Sequence, residues 1–222
     1  MLLDCRGSAL PTESDRSIYN LDVAYALACE ELARVDIEQQ CQRSGAQYQV
    51  KGSQRTVTIR YLDQSYLIAL PDIDISLPDS AEKVPLRDKI LIMHYLILAK
   101  GTLLSGEPIT FRELPGGNVY YPTFVKRTAN RLTDRFGKDA ALLVRAGENL
   151  GGYRADYGDA AVVIDAFSRV PITLVLWQGD DELPPQVNLL FDSTISDYLD
   201  TEDVTVLCEN LTWRLINSLR EA

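Results

Sequence analysis

Three strand-like runs joined by short connections constrain this chain more than any other feature of its sequence. Ala160–Phe167, Pro171–Gln178 and Val187–Phe191 are rich in apolar and β-branched residues, and only Ser168-Arg169 and the loop Gly179–Gln186 link them. A parallel pair needs a crossover of about a dozen residues or more, so links this short dictate antiparallel neighbours. Within the second run, Ile172–Trp177 is nearly continuous apolar, as expected of a central strand covered on both faces. Trp177 is therefore expected to pack.

The first half carries a similar signal. Thr56–Tyr61 alternates at period two, Ser65–Leu70 is its hairpin partner, and Tyr48–Val50 adds a short third strand. Asp72–Asp79 alternates acidic and apolar residues and reads as an edge or an extended connector, and Ile109–Glu113 reads as a short strand. Helical spacing appears in a long segment at about 20–44, where Leu21, Tyr25, Ala28, Leu32 and Val35 share a face and Gly45 is a suitable stop. Further helices are expected from Pro85 to Ala99, from Pro122 to Phe136, from about Asp139 to Leu150, and from an N-cap at Thr201 to the end. The Leu86–Ala99 helix is apolar nearly all round and should be wrapped by protein. The last helix buries Val204, Leu207, Leu211, Leu215 and Leu219. Residues 1–19 mix Gly, Ser, Pro and charges without periodicity and read as a loose arm before a single domain, 20–222. The fold class is α+β, a mainly antiparallel sheet with packed helices.

A chain of 222 residues buries enough surface to fold without staples. Its formal charge of −10 argues against nucleic acid or an anionic membrane as the main partner, since both need a basic surface. The longest apolar stretch, Ile90–Ala99, would span about 15 Å as a helix, half of the hydrocarbon core, so it is a core helix. The N-terminus has no apolar run of signal-peptide length. Cys5, Cys29, Cys41 and Cys208 form no C-x-x-C pair. With Cys29 and Cys41 on one helix they would stand about 18 Å apart along its axis, too far to pair. These features read as free thiols in a reducing cytoplasm, with no metal and no cofactor implied.

Several side chains invite a chemical reading beside a structural one. His94 is the one histidine, set mid-helix among apolar neighbours. It is either a buried imidazole that holds a ligand or a core histidine bonded to a carbonyl or carboxylate. Gly179-Asp180-Asp181-Glu182, with Asp192 beyond, is the densest carboxylate cluster. It reads as a hard-cation loop or, with no EF-hand spacing, as a solvated turn. Lys126, Arg127, Arg131, Arg135 and Lys138 stand against Asp134 alone. That stripe is either a docking surface for an acidic partner or the outer face of an amphipathic helix.

From His94 onward the chain carries an ordered series of short motifs. His94-Tyr95-Leu96, Phe111-Arg112-Glu113-Leu114, Gly116-Gly117 and Leu150-Gly151-Gly152 come first, followed by Gly158-Asp159 and Arg169-x-Pro171. Leu176-Trp177-x-Gly179-Asp180-x-Glu182 and Asn188-Leu189-Leu190-Phe191-Asp192 complete it. This series resembles a bacterial and archaeal family, the domain of unknown function numbered three-seven-eight-six. The resemblance implies a setting in anaerobic metabolism and, in some members, fusion to a cysteine-rich iron–sulfur module. This chain has no such cysteine cluster, so that role is not carried over, and the family supplies no catalytic residues to transfer. The polar members Arg112, Glu113, Asp159, Arg169, Glu182 and Asp192, together with His94, form the expected ligand-binding set, because a core alone does not require them.

The expected function is a binding module for a small molecule or a protein partner, with a carboxylate-based hydrolase or transferase as the alternative. An enzyme should gather His94 or Arg112 with the acids around one pocket. A binding module should pair those groups with each other or with backbone and present a groove elsewhere.

Overall fold

The C-terminal meander forms and gains a strand on each side. In the computed structural model, which describes residues 13–78 and 80–219, β5 (Pro108–Thr110), β6 (Tyr153–Ala155), β7 (Ala160–Phe167), β8 (Val170–Trp177) and β9 (Gln186–Asp192) make one antiparallel sheet. Its order is β5-β9-β8-β7-β6, so β8 is central, and Phe167 pairs with Val170 across the Ser168-Arg169 turn. A second antiparallel sheet, β1-β2-β3-β4, comprises β1 (Gln47–Lys51), β2 (Gln54–Tyr61), β3 (Gln64–Leu70) and the edge strand β4 (Asp74–Ser76). The α+β class holds, with the strands divided between two sheets.

Helices cover these sheets: α1 (Glu13–Leu32), α2 (Ile37–Ser44), α3 (Leu86–Leu98), α4 (Gly117–Arg127), α5 (Ala129–Phe136), α6 (Ala140–Asn149) and α7 (Thr201–Asn217). The helix expected over 20–44 starts earlier and is two helices. The chain turns at Ala33–Asp36, and Asp36 restarts it by accepting from the Gln39 N–H at 3.1 Å. That is an N-cap, and it puts Cys29 and Cys41 on different helices. Both are free thiols, as is Cys208. The remainder of the expected arm, residues 1–12, lies outside the described residues.

The second helix correction lies at Pro122. Helix α4 begins at Gly117, so Pro122 sits inside it rather than at its start. The Gly-Gly pair makes this possible. Gly116 takes φ +72, and a Cβ on Gly117 would fall 1.9 Å from the Phe111 carbonyl oxygen. Thr128 then separates α4 from α5, its hydroxyl donating to the Phe124 carbonyl at 2.7 Å. The run expected as a strand through Glu113 stops at Thr110 and continues as a 3-10 turn, Phe111–Glu113. The cap of α7 is Asp200, one residue before the expected Thr201.

One hydrophobic core joins both sheets to α3 and α7. Val170, Ile172, Leu174 and Leu176 of β8 all face it. Period-two alternation puts Trp177 on the opposite face, at the strand's last residue. Trp177 is 50% exposed there, against the expectation that it packs. Tyr95 of α3 binds the two halves together. Its ring stacks on Phe167 at 4.0 Å, and Phe167 stacks on Tyr61 at 5.0 Å. The Tyr95 hydroxyl donates to the Ser44 carbonyl at 2.6 Å and accepts from the Arg169 N–H at 3.2 Å. Among the described residues no helix is long and apolar enough to cross a membrane.

Candidate functional site

Of the residues singled out in the sequence, His94, Arg112, Glu113, Asp159 and Asp192 are engaged through their side chains and Arg169 and Glu182 through their backbone N–H groups. Nδ1 of His94 lies 2.9 and 3.0 Å from the two carboxylate oxygens of Asp203, tying α3 to the first turn of α7. The hydrogen bond that Asp203 accepts from His94 raises the His94 pKa, against the effect of burial. Burial in turn pushes Asp203 up although His94 pulls it down. The contact of one imidazole nitrogen to both carboxylate oxygens marks an ion pair. Arg112 stacks its guanidinium 3.8 Å from the centre of the Tyr121 ring. Glu113 accepts from the backbone and hydroxyl of Thr110, which lowers its pKa. Asp159 accepts from the Gln178 N–H at 2.7 Å, and Arg169 offers its own N–H to Tyr95.

Two of the candidates belong to loop turns. Asp180 accepts from the N–H groups of Glu182 and Leu183, closing the acidic loop as a turn. Asp192 accepts from the backbone N–H groups of Ser105, Gly106 and Thr194 and from two hydroxyls. Burial raises the Asp192 pKa, but these bonds outweigh it and hold the carboxyl at about 2. Among the described residues no three His, Cys, Asp or Glu side chains converge as a metal ion requires. The basic stripe is interrupted at Thr128. Arg127 pairs with Glu209 at 2.9 Å, while Arg131 and Arg135 lie on the next helix.

None of the seven lines the cleft of about 790 Å³ that opens between α7, the start of α3, the β2–β3 hairpin and the end of α6. Helix α7 supplies Asn210, Trp213, Arg214 and Asn217, which stand at i, i+3, i+4 and i+7 and so share a face. The start of α3 brings Pro85, Arg87 and Asp88, and the hairpin brings Asp63, Gln64 and Tyr66. Leu77, Glu82 and Lys83 reach in from the connector before α3, with Leu150 below.

A polar network forms the inner wall. The Asn210 amide donates to Asp88 Oδ1 at 2.7 Å and to the Tyr61 hydroxyl at 2.9 Å. A carboxylate only accepts, so this contact fixes which end of the amide faces it. Arg214 donates from Nη1 to Asp63 at 2.9 Å and to Gln64 at 3.3 Å, and from Nη2 to the Tyr66 hydroxyl at 3.1 Å. Its distance to Asp88 Oδ2 is 3.8 Å, an ion pair without a hydrogen bond. Burial raises Asp88 more than Arg214 and Tyr61 lower it. Burial likewise raises both phenols. They remain protonated at neutral pH and are poor nucleophiles. Ser218, also in the lining, donates to the Leu215 carbonyl at 2.9 Å, and no hydrogen bond among the described residues joins it to a base.

A second cleft, of about 760 Å³, lies between α4 and the first half of α7. Phe124, Leu199 and Val206 floor it, and Arg87 belongs to both clefts. Glu209 accepts from Arg87 at 3.2 Å and from Arg127 at 2.9 Å, closing the wall between them. The charges here answer one another, whereas Asp88 in the first cleft has an oxygen that accepts no hydrogen bond among the described residues.

A family model, described as Domain of unknown function (DUF3786), matches residues 36–214, well over half of the chain. No curated protein and no solved structure matches it. The matched span runs from the N-cap of α2 to Arg214 and takes in Asp63, Asp88, Asn210 and Trp213.

Proposed function

The chain belongs to the family described as Domain of unknown function (DUF3786), a membership that fixes no activity, and we propose from its own geometry that it is a binding module for a small polar molecule. The observation that carries this reading is Asp88. It is 9% exposed, yet among the described residues its Oδ2 accepts no hydrogen bond, and it faces a cleft of about 790 Å³. Such a volume is typical of small-molecule sites, in which a few convergent polar groups orient a ligand held mostly by apolar walls. Leu77, Pro85, Leu150 and Trp213 supply those walls.

The polar side chains outside the cleft support the same choice. His94 is paired with Asp203, and Glu113, Asp159 and Asp192 accept from backbone N–H groups, the arrangement expected of a binding module. A carboxylate-based hydrolase or transferase would require a second carboxyl aimed at the same point as Asp88, and Asp63 is held by Arg214 instead.

Thermal shift across a panel of small polar compounds tests the reading. At least one compound should raise the melting temperature of the wild-type chain and not that of Trp213→Ala. A panel without effect, or a rise that survives Trp213→Ala unchanged, refutes it.

A further inference from the structure

Much of the polar capacity of the first cleft is used within its own wall. Arg214 divides Nη1 between Asp63 and Gln64 and gives Nη2 to Tyr66. The Tyr66 hydroxyl donates to Gln64 at 3.0 Å, and the Asn210 amide nitrogen serves Asp88 and Tyr61. Among the described residues Asp88 Oδ2 and Asn210 Oδ1 are left without donors, and both are acceptors. A carboxylate oxygen that opens onto a cleft from a largely buried side chain gains from a partner that brings its own N–H groups.

Asp63, Glu82 and Asp88 face Lys83, Arg87 and Arg214 across the lining; Arg214 engages Asp63, and Arg87 shares Glu209 with Arg127. Part of the lining is apolar: Trp213, 59% exposed, stands there with Leu77, Pro85 and Leu150. An indole face accepts a ring or an ammonium group equally well.

Resting on the small-molecule reading above, we infer that the cleft recognises a primary amine carried on an apolar or aromatic body. The ammonium donates to Asp88 Oδ2 and Asn210 Oδ1, and the body lies against Trp213.

The test uses the full chain with Trp177→Phe, which leaves Trp213 as its one tryptophan. Its fluorescence is followed on titration with benzylammonium, benzyl alcohol and benzoate. Benzylammonium should bind about tenfold more tightly than benzyl alcohol, and benzoate least, because a charge-assisted bond replaces a neutral one. Asp88→Asn should bring amine and alcohol to parity. Lys83 is exposed at the rim, so Lys83→Glu tests the charge without touching the core. It should tighten benzylammonium about two- to threefold and leave benzyl alcohol unchanged. Equal binding of amine and alcohol, with both quenching Trp213, overturns the amine inference and leaves the cleft as a small-molecule site. No response to any probe overturns both.

Discussion

Tyr95→Phe removes one oxygen and leaves the ring, its stacking on Phe167 and the core volume in place. What it takes away are two bonds that no neighbour replaces. The Ser44 carbonyl loses its donor at 2.6 Å and the Arg169 N–H loses its acceptor at 3.2 Å. Ser44 is fully buried, so its carbonyl incurs the desolvation penalty of an unmade bond, about 1–3 kcal/mol. The half-buried Arg169 N–H adds about 1 kcal/mol. The variant should therefore lose about 2–4 kcal/mol, which for a chain of this size lowers the melting temperature by about 4–16 °C. Urea unfolding followed by circular dichroism should show a lower midpoint at unchanged slope, because the exposed area does not change. A loss below about 0.5 kcal/mol would mean that the hydroxyl does not tie α2 to the β7–β8 turn.

The remaining expectations concern other joints of the fold. His94 has its pKa raised above its ordinary 6.5 by Asp203, with Asp200 and Glu31 adding to the effect. The folded chain thus holds the proton more tightly than the unfolded one. This stabilisation is whole below 6.5 and is lost as pH rises through the folded value. Urea midpoints should fall across that window in the wild type and stay flatter in Asp203→Asn; equal slopes would contradict the pair. Asp192 is depressed, so its contribution is present above its ordinary 3.8 and disappears as pH falls through about 2. Asp192→Ala should abolish that acid-limb dependence and speed amide exchange at Ser105 and Gly106, and protected amides there would contradict the anchoring. Gly147→Ala places a Cβ 2.4 Å from Val162 Cγ2, where α6 meets β7. Overpacking should cost about 1–3 kcal/mol despite the better helix propensity of alanine, and calorimetry showing a gain would refute the close approach.

Much of the scaffold was legible because its signals are local. The Ser168-Arg169 link forces β7 and β8 to be antiparallel, and the apolar stripe of α7 marks its buried face. Even the break after α1 had a sign, since Asp36 and Gln39 stand at capping-box spacing. The Gly116-Gly117 start of α4 was harder, because Pro122 offers a competing N-terminal signal. The cleft is a different matter. Asp88 sits in a run that reads as apolar core, and its partner Asn210 is 122 residues away. No periodicity joins them; only the folded chain does. One trace was readable: Asn210, Trp213, Arg214 and Asn217 repeat at helical spacing on α7, along one side of the stripe that holds Leu207 and Leu211. Polar residues such as Asp159 and Asp192 stood out in sequence instead, yet turns and caps account for them.

Amide shift mapping of the isotope-labelled chain with benzylammonium puts the cleft directly to the test. The perturbed amides should cluster on Asp63–Tyr66, Asp88 and Asn210–Asn217. Perturbations centred instead on Arg112, Asp159, Glu182 or Asp192 would place the binding site elsewhere and contradict the account.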